Sequence, residues 1–475
     1  MSSISYSGAL THSGKRDIPA LPLSLTLLTL SLCVPAELSF YLFGLRLTVT
    51  RLLLLLLTPV LIVKAAKKLS SRRYRFVLSD LFVPLSGFWM IWAPTTVNGL
   101  AEALHHAGPD VLEFLVAYMA TRLLMSRHGH ALAFADLLCQ AIAVVAMLGL
   151  LDTLTGFYFT HEFLSRMTGA NSPVGDFWAD ARRMGFLRAS GPIEHPILFA
   201  FMCVIAALIA SSIPVRNRLL VITTSSFGAF FSFSAGPFQC LLLGGCLKIY
   251  DRIFRAYSFR WIVLAVAGFS AIVAAFVISH SPVSFIVSHF TFSSESGYYR
   301  IWTWAMVTDT ISQSPWVGLG VEAAPEDVKQ SVDSLWLVLA LRSGVPGAVL
   351  VALSIMGAVS LRTTGPAIDL GPDERRLGTI LGIILFLTLF IAFMVHIWGA
   401  TWILVAMLAG VRAHLGELGH LRRAPSTVNL RGRIGELNGF RKAKAAGNRD
   451  AERPYLVANH AVSGGDLRRA GYRAR

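Results

Sequence analysis

The sequence predicts an all-α polytopic membrane protein of about 12 transmembrane helices with two large extracytoplasmic loops. Three observations carry this expectation. The 475 residues are 54% apolar and 15% charged, with a mean hydropathy of +0.60, whereas a soluble globular chain carries roughly 25% charged residues. The apolar residues are gathered in blocks, such as 52–63 and 380–395, as helices in lipid require. Most basic residues outside the C-terminal tail sit in the short connections between those blocks, where they fix topology.

A bilayer span takes about 20 mostly apolar residues. Helices are therefore expected near 20–36, 46–63, 76–94, 109–125, 131–151 and 193–213, then near 219–232, 236–250, 261–279, 335–359, 377–395 and 398–411. Between the seventh and eighth, Ser232-Phe-Ser-Ala-Gly-Pro237 reads either as a kink or as a very short loop. The chain thus divides into an N-terminus (1–19), a membrane domain (20–411) and a basic tail (412–475). The tail holds fourteen Lys and Arg against five acids and few large apolar residues, so it is expected to be disordered or lipid-associated. Lys15 and Arg16 precede the first apolar run without a clear small-residue cleavage site, which reads as a retained first helix.

Twelve spans place both termini on one side. With the termini cytoplasmic, that side collects 33 Lys and Arg and the other 9, together the chain's 42. The positive-inside rule then puts both termini in the cytoplasm of a multi-pass inner-membrane protein. The net charge of +15 is explained by topology and by anionic lipid headgroups, not by nucleic acid. All five cysteines, Cys33, Cys139, Cys203, Cys240 and Cys246, lie in apolar segments without ligand spacing, so neither disulfides nor a metal site are expected.

This orientation exports two long loops, 152–192 and 280–334, in a chain whose other turns are short. The first carries His161, Glu162, Arg166, Asp176, Trp178, Arg182, Arg183 and Arg188. The second carries Tyr298, Tyr299, Arg300, Trp302, Trp304, Trp316 and Asp333, and its Ile301, Trp304, Ala305 and Ile311 fall at helical spacing. That spacing suits an amphipathic helix on the outer leaflet. No P-loop, dinucleotide fingerprint, zinc spacing or Gly-x-Ser-x-Gly elbow occurs, so no cofactor is expected. Arginine forks suit phosphate oxygens and aromatic rings suit sugars and lipid interfaces. Together they point to a lipid-linked phosphosugar.

Two local patterns sharpen this. The first is Arg188-Ala-Ser-Gly-Pro-Ile-Glu-His-Pro-Ile-Leu-Phe-Ala200. The second runs from Tyr299-Arg300-Ile-Trp-Thr-Trp304 through Ser314-Pro-Trp-Val-Gly-Leu-Gly320 to Asp333-Ser-Leu-Trp-Leu and Gly344-Val-Pro-Gly347. In this order and on this side of the membrane they resemble the O-antigen ligase and Wzy-type polymerase family of bacterial surface polysaccharide synthesis, over most of 20–411.

The resemblance implies a GT-C-like, metal-independent glycosyltransferase of the bacterial inner membrane, acting on an undecaprenyl-diphosphate-linked glycan donor and a glycan or lipid acceptor, among membrane lipids. Chain-length regulators and flippases are the partners it implies. By the same resemblance Arg188 and Arg300 would hold the donor diphosphate and stabilise the leaving group. Where the ligase branch carries His-Asn, this chain has Asp333-Ser334. Asp333 is then either the general base or a helix cap. The departure favours a polymerase, or a ligase-like transferase with another acceptor, over a plain lipid-A-core ligase.

Arg182, Arg183, Glu194, His195, Trp304 and Arg342 complete the expected substrate-binding set. Glu194-His195 stands at the mouth of the sixth helix. Arg342 lies within the tenth apolar segment, so it either snorkels outward or faces a polar cavity. Asp80 and Asp136 lie near the cytoplasmic ends of their helices, and His396 reads as structural. A flippase or secondary transporter is the alternative; it would want midplane charges and repeated halves, and no internal repeat is evident.

Overall fold

Once a backbone leaves water it must satisfy its own N–H and C=O groups, and an apolar run does so as a helix. The computed structural model describes residues 19–42, 45–70, 76–169, 181–278, 294–320, 332–359 and 370–418. Among the described residues there are fourteen helices and two small hairpins. The helices are α1 (Leu23–Ser31), α2 (Val49–Leu69), α3 (Leu78–Asn98), α4 (Leu100–Leu124), α5 (His130–Thr155), α6 (Phe159–Thr168) and α7 (Pro196–Ala210). They continue as α8 (Arg218–Phe231), α9 (Ala235–Ile253), α10 (Arg260–Ile278), α11 (Ser294–Ser312), α12 (Leu335–Val359), α13 (Pro372–Ile391) and α14 (Gly399–Leu418).

Four helices, α2, α5, α12 and α14, are long and apolar enough to cross a membrane by length and composition; α7, α8 and the first part of α10 are apolar but shorter. The exterior, unlike that of a soluble protein, is as apolar as the buried centre. Leu56, Phe88, Leu219, Phe227, Ile249, Phe269 and Val277 all point outward, an apolar exterior that suits lipid. The centre is made by α7, buried at every residue but Ile197, and by α14, buried from Thr401 to Glu417. Around them α4 packs on α14, α3 and α2, while α12 packs on α3.

Several boundaries differ from the sequence expectation. The two helices expected over 219–250 are present as α8 and α9, and the junction left open between kink and loop is a turn at Ser232–Ser234, where Phe233 takes φ +49°; other boundaries shift. Helix α4 starts at Leu100, not near 109, with Pro109 inside it. The last helix, expected to end at 411, continues to Leu418. Its extra turns carry a charge that is paired. Glu417 meets both Arg122 and, at 2.7 Å, Lys68 Nζ; Arg122 donates a fork to Asp80 at 2.9 Å per bond; and the Tyr118 hydroxyl donates to Asp80 at 2.7 Å. Asp80, expected to be a shallow helix-end residue, is thus buried in an ionic cluster tying α2, α3, α4 and α14. Breaking such a buried pair costs about 3–5 kcal/mol.

Two features lie outside an all-helical expectation: antiparallel hairpins β1 (Ser39–Leu42) with β2 (Leu45–Thr48), and β3 (Arg182–Arg183) with β4 (Phe186–Leu187). Both stand at the end of the bundle that also bears α6, α11 and the α8–α9, α11–α12 and α13–α14 connections, called here the loop end.

Candidate functional site

The loop end is organised by two short stretches whose backbones interlock. Helix α12 is broken at Ser343 and Gly344, where the dihedrals leave the helical range. A break inside an apolar helix frees backbone groups that need partners. The turn Pro315–Gly320 supplies them: Leu319 N donates to Leu341 O at 2.8 Å, and Val345 N donates to Pro315 O at 2.8 Å. The Trp89 indole donates to the freed Ser343 carbonyl at 2.9 Å. The fit needs glycine on both sides. Gly318 and Gly344 have φ of +77° and +72°, and a Cβ on Gly318 would fall 2.6 Å from the Leu341 oxygen. The Pro-x-x-Gly-x-Gly and Gly-x-x-Gly patterns are therefore two halves of one joint.

This joint ties the C-terminal end of α11 to α12. Trp304 of α11 donates to Phe393 O at 3.3 Å and stacks on the Phe393 ring at 5.9 Å. At the start of α12, Ser334 Oγ donates to Ala392 O at 3.1 Å and Leu335 N to the same carbonyl at 3.0 Å. Arg300, half-buried on α11, and the exposed Asp333 are thereby held against one common support, the 392–395 turn. Burial pulls the Arg300 guanidinium below its ordinary range, the Asp333 carboxylate raises it, and the nearby Arg183 lowers it again. Arg300, Asp333 and Arg183 thus share one electrostatic neighbourhood.

Arg183 and Arg188 reach the same place from the first loop by gripping the α8–α9 turn. Arg183 Nη1 donates to Phe233 O at 3.0 Å; Arg188 donates through Nε to Ser232 O at 3.0 Å and through Nη2 to Ser234 Oγ at 2.9 Å. The backbone of the Arg188 motif is fixed by Asp152, whose Oδ2 accepts from Gly191 N at 2.7 Å. Arg188 is 1% exposed, so it sets charge and geometry from within the wall. Arg182 stands apart, exposed and reaching Gly156 O at 3.4 Å. Arg183 and Arg300 beside Asp333, with the enclosed Arg188 adding positive charge from behind, make this neighbourhood one that favours an anion. Asp176 and Trp178, and the side chains of Tyr298 and Tyr299, lie outside the described residues.

Glu194 falls in a second zone, a half-open cavity of about 70 Å³ lined by Arg46, Arg51, Glu113, Glu194, Trp398 and Ala400 among others, and His195 is its chain neighbour outside that lining. Arg51 Nε donates to Glu113 Oε1 at 2.6 Å, and Arg46 is pinned by Ser39 Oγ at 3.0 Å and Ala36 O at 2.6 Å. Burial pushes the Glu194 carboxyl up; Arg46, the Trp398 indole and Arg51 pull it down. His195 accepts from Ile197 N at 3.1 Å as the cap of α7 and packs edge-on to Trp398 at 5.6 Å. The chain segment leading to Glu37 is anchored by His161, whose Nδ1 lies 2.6 Å from Glu37 Oε1 in a fully buried pair.

Arg342 pairs with Asp110 at 3.4 Å, each about a third exposed. His396, on the adjoining connection and 5.4 Å ring to ring from Trp398, is pushed down to about 4 by burial and by Arg342. Sequence reasoning did not single out Arg46, Arg51 or Glu113. Glu113 carried the available signal, an acid in mid-helix within an apolar segment. Arg46 lies on a strand that only the 39–48 hairpin brings to Glu194. No group of three or more His, Cys, Asp or Glu stands together as a metal site among the described residues. Neither any family model nor any curated protein sequence matches this chain.

Proposed function

We propose that this chain is an inner-membrane glycosyltransferase of the O-antigen ligase and polymerase kind, with twelve spans in a GT-C-like arrangement. It joins undecaprenyl-diphosphate-linked oligosaccharides at the periplasmic face, and polymerisation is favoured over ligation. The observation that carries the reading is the Gly318–Gly344 joint, which seats Arg300 and Asp333 on one support with Arg183 beside them. Guanidiniums there would bind the donor diphosphate and stabilise the charge that develops on it as the glycosidic carbon is attacked. A carboxylate across from them would accept the proton of the acceptor hydroxyl. The basic split of 33 to 9 supports the placement of this end outside the cytoplasm. Asp333 in place of the ligase branch's His favours the polymerase.

The surface glycan of a strain lacking the chain tests the reading. A lost ladder with one repeat still on its anchor is the expected result. Loss of every repeat from the anchor indicates a ligase, and an unchanged glycan removes both.

A further inference from the structure

The cavity bounded by α2, α4, α7 and α14 is not absorbed by a diphosphate clamp, because its charge balance differs. Arg46 and Arg51 face Glu113 and Glu194, so the lining is neutral when all four are ionised, whereas Arg183, Arg188 and Arg300 outnumber Asp333. Both cavity arginines already donate to the protein: Arg46 to Ser39 Oγ and Ala36 O, Arg51 to Glu113 Oε1 and, at 3.0 Å, to Arg46 O. A guanidinium has five donors, so each retains some for a ligand while its charge is balanced.

Glu113 supplies the independent signal. Its side chain is 3% exposed and lines the cavity, yet its Oε2 is buried with no hydrogen-bond partner among the described residues. A buried carboxylate oxygen left unpaired is unfavourable, and a hydroxyl donor from a ligand would satisfy it. Trp398 also lines the cavity, and an aromatic side chain is of the kind that packs on the C–H face of a pyranose.

We infer that this cavity is a subsite for one neutral pyranose ring, with Glu113 and Glu194 accepting from sugar hydroxyls and Arg46 and Arg51 donating to sugar oxygens. Its role as the seat of the acceptor's terminal sugar rests on the transferase reading above; the binding itself does not. The cavity adjoins the support of the diphosphate cluster, since Trp398 follows the 392–395 turn on which Asp333-Ser334-Leu335 is docked.

The test uses full-length protein in nanodiscs and a panel of neutral methyl pyranosides, with inorganic pyrophosphate as the second probe, both read by saturation-transfer NMR. At least one pyranoside binds, and Glu113→Gln and Glu194→Gln each weaken it tenfold or more, while Arg300→Ala leaves it unchanged and weakens pyrophosphate. Because Glu113→Gln breaks a buried ion pair, Ala400→Leu is the second variant; it fills the cavity without touching a charge and abolishes pyranoside binding. Absence of binding by every pyranoside, binding indifferent to Ala400→Leu, or displacement of the sugar by pyrophosphate overturns the subsite. Cavity-dependent sugar binding alongside an unchanged surface glycan in the deletion strain removes the transferase reading and keeps the subsite.

Discussion

Gly318 and Gly344 meet backbone to backbone, so close that a Cβ on Gly318 would fall 2.7 Å from the Gly344 nitrogen. Each lies in the left-handed region that an L side chain enters only at a cost of about 1–2 kcal/mol, and each is hemmed in by backbone that cannot move aside. The joint closes the break in α12 and carries α11, with Arg300, onto the same support as Asp333.

Gly318→Ala and Gly344→Ala are therefore expected to lower thermal stability by more than the strain alone and to abolish polymer. Val345→Ala, which keeps the bond from Val345 N to Pro315 O, serves as the control and leaves both nearly unchanged. Differential scanning fluorimetry with a glycan gel reads both. Alanine variants as stable as the wild type would mean that the joint does not hold the site.

Arg188 and Arg300 are expected to part company. Both alanine variants lose polymer, but Arg188→Ala also lowers the amount of folded protein, because it strips the buried bonds to Ser232 and Ser234 and leaves acceptors unsatisfied at about 1–3 kcal/mol each. Arg300→Ala leaves the protein level in the membrane normal. Arg300→Lys rescues poorly, since an ammonium lacks the planar fork. Immunoblots beside glycan gels separate the two; full polymer in Arg300→Ala would end its role at the diphosphate.

Asp333→Asn tests the base directly. Asn caps a helix about as well as Asp but cannot take a proton. Polymer is expected to vanish while the melting temperature stays within a degree or two of the wild type. The neighbouring Ser334 Oγ donates to the Ala392 carbonyl, a bond that the substitution leaves in place. Wild-type polymer from Asp333→Asn would show that the proton leaves by another route.

The all-α fold was legible in the sequence because hydropathy is a strong signal when a backbone must satisfy itself in lipid. Each expected span overlaps a helix, and four of those helices are long and apolar enough to cross a membrane by length and composition; Gly318 and Gly344 already stood in named motifs. What was not legible is what depends on tertiary approach. Nothing in Leu45-Arg-Leu-Thr48 says that a hairpin will carry Arg46 to Glu194, and nothing near Asp80 announces that Arg122 and Glu417 will bury it. Arg188 looked like a ligand-facing side chain, yet the α8–α9 turn, read as an open choice between kink and loop, encloses its guanidinium.

His396 supplies the pH dependence. Its pKa falls from 6.5 to about 4 on folding, so the neutral ring is the one the fold accepts. Its contribution is present above about pH 6.5 and is lost as pH falls toward 4, because the unfolded chain then binds the extra proton; the slope is about 1.4 kcal/mol per pH unit for one such group. Melting temperatures between pH 7.5 and 4.5 are expected to fall more steeply for the wild type than for His396→Gln. Parallel curves would show that the ring is not held neutral.

Reconstitution asks whether the loop end joins lipid-linked glycans. Purified protein in proteoliposomes is supplied with the undecaprenyl-diphosphate-linked repeats that accumulate in the deletion strain, and the products are resolved by gel. Wild-type protein is expected to give a ladder of lengthening products, and a variant combining Arg300→Lys and Asp333→Asn single repeats only. Repeats that remain single with folded wild-type protein, or a ladder that the double variant makes equally well, would contradict it.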